Sequence, residues 1–593
     1  MRHIFFKNLK WIADDPLRAL VVCLLLTFLA YSNSLAHDFI IDDFSFIVDW
    51  PLIQDLRNFP EFFGPHNQPP GEEGVYSPLK TLMHALNYAL WGTDPLGHHL
   101  VAIFVLLLST FYVYRLSFLV TANRLIAFLS AVFFGLHPIH TETAATKTGS
   151  VDTTGVLFLF IAFFYYLRAR QACTPQTGPA SFLWGNRDYK LALLFSCLST
   201  FLHELCLIIP LLWVLYELAF PLPRDKGRIQ HATLRVLPFF IITVIYIAIK
   251  FWLLKDISRG DYLGGSFYLT MLVILKVQVK NCLIMFFPFT LAVKHVISKG
   301  IFAVDVWDFD QQAVLQQSIL DPQVISSILF LGLIAAATVW AYKNNRLIFF
   351  CIGWFYISVL PAANIVPIES FFAERYLYPG SWAFCLLIAY GVFLGLDPEK
   401  TAPVPIFGRM MPRGQVQNTA IALLLIITTF YFVRTFLRNR DWRTQLTFFQ
   451  AEVRANPQSA DLFNGLGKAY LQDGQPHKAI EAFQRAVAIQ PEMPLYYFSL
   501  AEAYTAQKKF PQAEKILLQA IHLAPKYAEA YFNLAIIKIL QGDMKSAEDY
   551  AARSFNLLLE QGRWEDSQQY RKAFYDFSYQ NFIADPGSKE DAS

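Results

Sequence analysis

Charged residues are scarce in this chain, and their scarcity restricts the class of protein that it can form. Asp, Glu, Lys and Arg make up only 16% of its 593 residues, whereas 55% are hydrophobic and 16% are aromatic. A soluble protein of this length carries about a quarter charged residues. The composition therefore excludes an ordinary soluble enzyme and indicates a multi-span membrane protein, in which the 55 Phe and 12 Trp suit lipid contact and interfacial anchoring.

Cysteine patterns and sorting signals are also missing. The seven Cys form no CxxC pair and no Cys/His metal spacing, and most lie in apolar runs, so we expect no disulfide framework. The first apolar segment, Leu17 to Leu35, has no small-residue cleavage site after it and is predicted to stay as an anchor. Without an Asn-x-Ser/Thr sequon or a retrieval signal at Lys589 to Ser593, a bacterial inner membrane is favoured over the alternative, the endoplasmic reticulum.

Apolar runs continue to about residue 434 and predict about eleven membrane-spanning helices. They lie near residues 17–36, 99–120, 125–136, 151–167, 190–202, 205–220, 235–254, 323–342, 347–361, 376–396 and 418–434. Basic residues gather in every second connection, which the positive-inside rule places in the cytoplasm. Several runs are too short to cross ~30 Å of hydrocarbon, which predicts a cavity in the outer half of the bilayer.

The parity of this count depends on residues 267–291. Lys276, Lys280 and Asn281 interrupt that apolar stretch, so we expect it to lie at the outer surface or to re-enter from it. An odd number of spans then places the region after the last span outside the cytoplasm, in the periplasm of a bacterium or the lumen of the endoplasmic reticulum.

A 34-residue repeat begins after the last apolar run. Residues 460–493 carry the tetratricopeptide pattern at Phe463, Leu466, Gly467, Tyr470, Ala479, Phe483, Ala486 and Pro491. The pattern recurs in residues 494–527 and, in degenerate form, in residues 528–561. We therefore predict a connecting helix or half repeat at residues 437–458 and an α-solenoid with a tail at residues 459–593.

Two roles for these repeats remain open at this point. Their groove could hold an extended polypeptide, or the repeats could serve stability and assembly without a ligand of their own.

Two adjacent carboxylates, Asp42 and Asp43, follow the first span in the predicted outer loop at residues 37–97. Either one could cap a helix or solvate a loop. Alternatively, a pair of acids at the mouth of a membrane body could activate an acceptor hydroxyl, because a carboxylate can take its proton. We favour Asp43 over Asp42 as the base.

A second polar motif contains His137, His140 and Glu142 between two apolar spans. Its H-x-x-H-x-E spacing is not that of a known zinc helix, and Pro138 would break such a helix. We therefore favour a turn that binds sugar hydroxyls or orients the acids over the alternative, a metal site.

Two further motifs share the outer side. His203 and Glu204 lie at a turn between short apolar runs, where charge is costly unless it is used. Glu374, Arg375 and Tyr376 place an arginine beside aromatic residues, which suits a lipid phosphate; the alternative is a snorkelling arginine. The sequence offers no structural partner for Arg375.

Five segments of the chain, in order, resemble the TMTC-type proteins. They are DFIIDDFSFI, YSPLKTLMHALNYALWGTDPLGHHL, FFGLHPIHTE, FLHELCLIIPLL and FFAERYLYP. The resemblance implies a GT-C fold transmembrane domain at residues 1–436 that acts as an O-mannosyltransferase, with Asp42 and Asp43 as its catalytic acids. The chain departs from the family at His203 and Ser150, where a lysine and an arginine are usual.

The implied reaction transfers a sugar, expected to be mannose, from a polyprenyl phosphate to Ser or Thr hydroxyls with inversion. Arg375, helped by His203, would stabilise the departing phosphate. A monophosphate donor needs no bridging metal, so no cofactor is expected. A GT-C transferase that acts on a lipid or glycan and a non-catalytic membrane-anchored repeat scaffold remain alternatives.

Overall fold

The computed structural model describes residues 2–65, 67, 76–172, 185–221, 228–255, 260–293, 318–368, 371–396, 404–406 and 409–580. The chain divides into two compact units, Met1–Gln445 and Leu446–Ser593. The division falls within the predicted connection at residues 437–458. Parts of the predicted outer loops, at residues 66, 68–75 and 294–317, and the predicted tail at residues 581–593 lie outside the described residues.

The first unit is helical, as predicted, and its described part also contains one antiparallel hairpin of strands β1 (Val404–Ile406) and β2 (Arg409–Met411). Its α-helices are α1 (Arg2–Asp14), α2 (Pro16–Tyr31), α3 (Pro78–Trp91), α4 (Pro95–Thr121), α5 (Arg124–Leu136), α6 (Thr141–Ala145), α7 (Lys147–Gln171), α8 (Arg187–Leu202), α9 (Ile209–Ala219), α10 (Arg228–Leu254), α11 (Phe267–Phe286), α12 (Pro322–Asn344), α13 (Arg346–Ser358), α14 (Tyr378–Leu396) and α15 (Arg413–Asp441). Short 3-10 or π-helical segments lie at Ser32–Ala36, Phe44–Val48, Pro51–Gln54, Leu56–Phe63, Pro138–His140, Glu204–Ile208, Leu263–Gly265, Leu360–Ala362 and Glu374–Leu377.

The core of this unit is formed by α5, α7, α13 and α14. Every residue of α5 after Arg124 is buried, which is unusual for a surface helix and typical of a central one. Aromatic rings fill the space between the other three: the ring centroid of Trp354 lies 4.9 Å from that of Phe163 and 4.7 Å from that of Trp382. Such edge-on and tilted ring pairs fix the relative positions of the helices that carry the outer segments.

Fewer helices than predicted are long enough to span a bilayer. Among the described residues, eight helices pass on length and apolarity, and a ninth if the bent pair Arg124–Leu136 and Pro138–Ala145 counts as one span. The predicted spans at residues 190–202, 205–220 and 347–361 are shorter. The α8 helix, for example, has 16 residues, or about 24 Å at 1.5 Å per residue, less than the ~30 Å hydrocarbon core.

The short helices α8 and α9 nevertheless cover most of the thickness of the unit. Glu217, near the end of α9, accepts hydrogen bonds from Arg170 at 2.8 Å and from Arg235 at 2.9 Å. At the opposite end, His203 lies 3.5 Å from Asp152 at the start of α7. Since α7 runs from one cluster to the other, α8 and α9 pass between the same two faces.

The contacts of α11 place its whole length on one side of the unit. We call this the outer side and define it by Asp42 and Asp43. Before α11, Tyr262 donates to the carbonyl of Ile365 at 2.9 Å, in the connection between the predicted spans at residues 347–361 and 376–396. In the middle of α11, Lys276 pairs at 3.0 Å with Asp321, which caps the start of α12. At its end, the carbonyl of Met285 contacts the ring of His137.

These partners lie in three different connections that the predicted topology places outside the cytoplasm: the one after α13, the one before α12 and the one after α5. The 20 residues of α11 are long and apolar enough to cross a membrane, but a crossing helix could not touch outer residues at its start, middle and end. The contacts therefore support the expectation that residues 267–291 lie at the outer surface or re-enter from it.

The second unit consists of paired helices. They are α16 (Gln445–Ala455), α17 (Ala460–Gln472), α18 (Pro476–Ile489), α19 (Pro494–Ala506), α20 (Phe510–Leu523), α21 (Ala528–Leu540), α22 (Met544–Glu560) and α23 (Trp564–Ser578). Gly467 shows why a small residue is needed where two helices cross, because a Cβ atom there would lie 2.4 Å from the ring of Phe483. The degenerate third repeat still forms the regular pair α21 and α22, and α23 covers it by packing Phe574 against Phe555.

The placement of α11 can be tested by labelling its two ends. Phe267→Cys and Phe287→Cys replace side chains that are 50% and 58% exposed. We expect both cysteines to react with a membrane-impermeant maleimide from the same side as a Glu61→Cys control, and Lys343→Cys to react only from the other side. Wild type supplies the background from the native thiols. Labelling of the two α11 positions from opposite sides would show that the helix crosses.

Candidate active site

The two adjacent acids differ in environment. Asp43 is fully buried, and its carboxylate accepts hydrogen bonds from the backbone N–H of Thr148 at 3.1 Å and of Ile40 at 3.2 Å. Asp42 is exposed. Asp43 therefore holds the segment at the start of α7, whereas the carboxylate of Asp42 is accessible.

The backbone that presents these acids is strained. Ile41 has a φ of +45°, a left-handed conformation in which a β-branched side chain is a genuine outlier. Such strain persists only where surrounding contacts hold it, and it clusters at functional sites. After Ile41 in the chain, the hydrogen bonds that the Asp43 carboxylate accepts fix the backbone. On the other side, the N–H of Asp38 donates to the carbonyl of Arg443 at 3.0 Å, after the end of α15.

A cation cluster lies at the start of α7. Asp152 pairs with Lys80 at 2.9 Å and with His203 at 3.5 Å, and Lys80 also lies 4.9 Å above the ring of Phe46. Sequence reasoning noted the loss of a lysine at position 203 but missed Lys80. The structure shows that Lys80, from the first outer loop, supplies a fixed positive charge beside His203.

Glu204 faces a different partner from its neighbour. One of its oxygens accepts from Lys250 at 2.9 Å and from the hydroxyl of Tyr246 at 3.1 Å, and Tyr246 also donates to the carbonyl of Tyr76 at 2.6 Å. Lys250 was not predicted as a site residue, although a lysine inside the apolar run of α10 signals a buried carboxylate nearby. Glu204 thus connects α10 to the turn before α9.

The two histidines of the second motif lie in the interior. His137 contacts the carbonyl of Met285 at 3.1 Å, and His140 contacts the hydroxyl of Ser381 at 2.9 Å. Both rings are fully buried. Both side chains pack between α5, α11 and α14, and a role in binding sugar hydroxyls or orienting the acids stays a prediction. Among the described residues, no three His, Cys, Asp or Glu side chains are grouped so that they could hold a metal ion.

Glu142, from the same motif as the two histidines, pairs with Arg375 of the segment Glu374 to Tyr376. It accepts from the guanidinium of Arg375 at 2.7 Å and from the backbone N–H of Arg375 at 3.0 Å. The expectation that Arg375 has no structural partner is therefore wrong. The arginine side chain remains 36% exposed, lies 5.4 Å from the ring centre of Tyr376 and interacts electrostatically with Asp152. Part of the Arg375 side chain is therefore accessible although it pairs with Glu142.

Glu374 points away from Arg375. It is 1% exposed, and its carboxylate accepts from the N–H of Ala292 at 2.7 Å. This contact ties the segment after α11 to the start of α14, so Glu374 belongs to the wall of the site.

One buried histidine under the first outer loop stays neutral. Burial, assisted by the positive charge of Lys80, lowers the pKa of His84 to about 3. Its ring lies 5.7 Å from that of Phe46 and 6.4 Å from that of Trp50. His84 therefore acts as a packed aromatic side chain at physiological pH, and the positive charge at this place belongs to Lys80.

Comparison with known proteins identifies relatives of both units. The tetratricopeptide repeat family matches residues 432–494 and 498–555, and a second description of this repeat matches residues 470–522. Protein O-mannosyl-transferase TMTC3 of Homo sapiens is 23% identical over 500 residues, which cover 76% of this chain and 49% of that protein. Protein O-mannosyl-transferase Tmtc3 of Drosophila melanogaster is 26% identical, over 76% of this chain and 53% of that protein. The chain is similar to TMTC-type proteins over most of its length.

The relation to TMTC-type proteins includes the membrane unit, because 500 aligned residues exceed the repeat unit Leu446–Ser593 several times over. The resemblance, the repeats and the integral membrane class predicted from the sequence are thereby confirmed. The chain spans about half the length of these two relatives.

Two solved structures of other proteins are also similar. The oligosaccharyltransferase of Archaeoglobus fulgidus in its apo form is 12% identical with a TM-score of 0.42, over 72% of this chain and 56% of that chain. ArnT from Cupriavidus metallidurans bound to undecaprenyl phosphate is 12% identical with a TM-score of 0.36, over 86% and 80% of the two chains. These scores are too low to establish a shared fold.

The contact between Glu142 and Arg375 predicts a stability effect at a residue that the sequence alone would class as purely functional. Arg375→Ala leaves the buried carboxylate of Glu142 without its main partner, so we expect a loss of roughly 1–3 kcal/mol, reduced by the partial exposure of the arginine. Thermal unfolding in detergent measures it. The double variant Glu142→Gln/Arg375→Ala should recover part of the loss. Equal melting temperatures for wild type and Arg375→Ala would show that the pair contributes nothing.

Proposed function

We propose that the chain is a membrane glycosyltransferase that moves a sugar from a polyprenyl phosphate to Ser or Thr hydroxyls of proteins outside the cytoplasm. We expect the sugar to be mannose, because the relatives are named protein O-mannosyl-transferases. The observation that carries the proposal is the strained segment at Ile41, which displays an accessible Asp42 while Asp43 anchors it to α7. Around it lie Lys80, His203 and Arg375, each held by a carboxylate on another element.

The geometry favours Asp42 as the general base. A base must come within hydrogen-bond reach of the acceptor hydroxyl, and Asp43 has no exposed surface and two oxygens that already accept backbone N–H groups. We therefore assign proton acceptance to Asp42 and positioning to Asp43, the reverse of our preference from the sequence.

The proposed reaction is an inverting displacement. The acceptor oxygen forms a bond to the anomeric carbon, its proton passes to Asp42, and the bond from the anomeric carbon to the phosphate oxygen breaks with its electron pair on the phosphate. The leaving group is an anion, so it needs electrostatic stabilisation. Arg375 supplies this charge, and the pair of Lys80 and His203 adds positive potential. We keep the prediction that no bridging metal is required.

The repeat unit supplies the surface for the polypeptide acceptor in this proposal. Its support is the tetratricopeptide match together with the course of the chain, since the carbonyl of Arg443 contacts Asp38 and the last span therefore ends on the side of the acids.

The two acids make separable predictions. Asp42→Asn keeps the shape of the side chain but removes proton acceptance, so kcat should fall by about 10²–10⁴-fold with little change in the melting temperature. Asp43→Asn weakens the hold on Ile41, so it should lower both activity and the melting temperature. The assay measures transfer from a polyprenyl-phosphate sugar to a Ser/Thr peptide by reconstituted full-length protein, with and without chelator.

Three outcomes would contradict this assignment. An active Asp42→Asn variant excludes Asp42 as the base. Activity that chelation abolishes and zinc or manganese restores excludes the metal-free route. Transfer to lipid or glycan acceptors but never to peptide favours the alternative acceptor class, and absence of transfer from every polyprenyl-phosphate sugar favours a non-catalytic scaffold.

The side on which the repeats lie can be tested independently of activity. A reporter that works only in the cytoplasm, fused after Ser593, should be silent, because the last span ends beside the acids. The same reporter fused after Lys343, at the predicted cytoplasmic end of α12, should be active. An active fusion at Ser593 would place the repeats in the cytoplasm and exclude a role for them in holding the acceptor.

A further inference from the structure

Lys280 differs from the other buried lysines of the outer side. Its side chain lies within α11 and is only 5% exposed. Lys250 and Lys276, which are buried to the same degree, pair with Glu204 at 2.9 Å and with Asp321 at 3.0 Å. For Lys280, no carboxylate lies within 4.0 Å among the residues that the structure describes.

The surroundings of Lys280 offer it only indirect compensation. Its ammonium group lies 5.0 Å from the ring centre of Phe372, a distance suited to a cation–π interaction. The acid that acts electrostatically on its charge is Glu374. That carboxylate also interacts with Arg434 and Arg438, and Arg438 pairs in turn with Asp441 at 3.1 Å. Three cations therefore share two carboxylates, which leaves one positive charge in excess.

A desolvated ammonium group without a hydrogen-bonded anion is costly. Charged residues at membrane depth are retained mainly where they are used. An excess of positive charge in this place is therefore the feature expected of a site whose anion arrives with the ligand.

The position of Lys280 indicates the kind of anion. Phe372 lies three residues before Arg375 in the chain, and Arg375 is the cation proposed above for the leaving phosphate. Beyond Lys280, the end of α11 exposes Phe286, Phe287 and Phe289 by 52%, 58% and 63%. Exposed aromatic rings beside a buried cation at a membrane surface suit a phosphate that carries an apolar chain.

We propose that Lys280 binds the phosphate of a lipid-linked donor, together with Arg375, and that the aromatic end of α11 contacts the first part of its apolar chain. The lysine contributes up to three N–H donors to the phosphate oxygens. This inference rests on the proposed function for the identity of the donor, but the binding site itself is open to a separate test.

The test uses Lys280→Gln and, as a matched control, Lys276→Gln. The two lysines lie one helical turn apart on α11 and are equally buried, but only Lys276 has a carboxylate partner. Full-length protein in nanodiscs is titrated with polyprenyl phosphate, with polyprenol and with inorganic phosphate, and binding is followed by intrinsic tryptophan fluorescence. Lys280→Arg tests whether a restored charge restores binding.

We expect Lys280→Gln to weaken binding of polyprenyl phosphate by about 10- to 100-fold, the range for one charge-assisted hydrogen bond. Lys276→Gln should stay within about threefold of wild type, and Lys280→Arg should recover most of the affinity. Polyprenol should bind wild type and Lys280→Gln equally, because it lacks the phosphate. Where wild type transfers sugar, Lys280→Gln should raise KM for the donor and leave KM for the peptide unchanged.

The outcomes separate this inference from the proposed function. Equal affinity of wild type and Lys280→Gln for polyprenyl phosphate overturns the role of Lys280, even if transfer occurs. Binding that depends on Lys280 in a protein without transferase activity supports the lipid phosphate site and contradicts the proposed function. If inorganic phosphate binds as tightly as polyprenyl phosphate and its binding depends equally on Lys280, the ligand is a free anion and the lipid assignment is overturned.

Discussion

The fastening of Asp43 to the start of α7 is the contact on which the candidate site depends. A β-branched residue in the left-handed region is strained, and in a loop this backbone conformation persists only if contacts on both sides of the residue prevent it from relaxing. At Ile41, those contacts are the hydrogen bonds to the Asp43 carboxylate on one side and the bond between Asp38 and Arg443 on the other. The exposed Asp42 is placed by this constraint, because it lies between the strained residue and the anchor.

The charges of the outer side are organised as pairs that join different elements. Lys80 reaches Asp152, Lys250 reaches Glu204, and Arg375 reaches Glu142. Each pair neutralises a charge that would be costly alone at this depth, and each also fixes two segments relative to one another. Arg434 and Lys280 depart from this rule. Arg434 donates to the carbonyls of Pro288 and Phe289, whereas Lys280 faces the ring of Phe372, and a site for an anion is the consequence that we draw from Lys280.

The sequence predicted the repeats and the all-helical membrane class well, because both depend on periodicity and composition. Gly467 and Phe483, for example, are a small residue and a large one at fixed offsets of a known pattern. It predicted less of the site. His137 and His140 are residue types that often bind ligands, but in the structure their rings contact Met285 and Ser381, which lie far away in the sequence.

Partners drawn from distant segments account for the rest of the difference. The contact between Glu142 and Arg375 joins residues 233 positions apart, and no local spacing encodes it. Lys80 and Lys250 were overlooked for the same reason, since each lies in a helix with no acid beside it. The different exposure of Asp42 and Asp43 follows from the direction of the backbone at Ile41, which a pattern of residue types does not contain.

The ion pairs at both ends of α7 have a consequence for the behaviour of the protein in bilayers of different thickness. Asp152 is held by Lys80 and His203 at one end, and Arg170 is held by Glu217 at the other. A helix clamped in this way has a fixed length between two charged layers, and it cannot tilt or slide without breaking a buried pair. Mismatch with a thinner or thicker membrane is then expected to be absorbed by helices such as α12, which is only 17% buried and is joined by a salt bridge at its start, between Asp321 and Lys276. We therefore expect a change of membrane thickness to disturb the outer site, which is built on the start of α7, less than it disturbs α12.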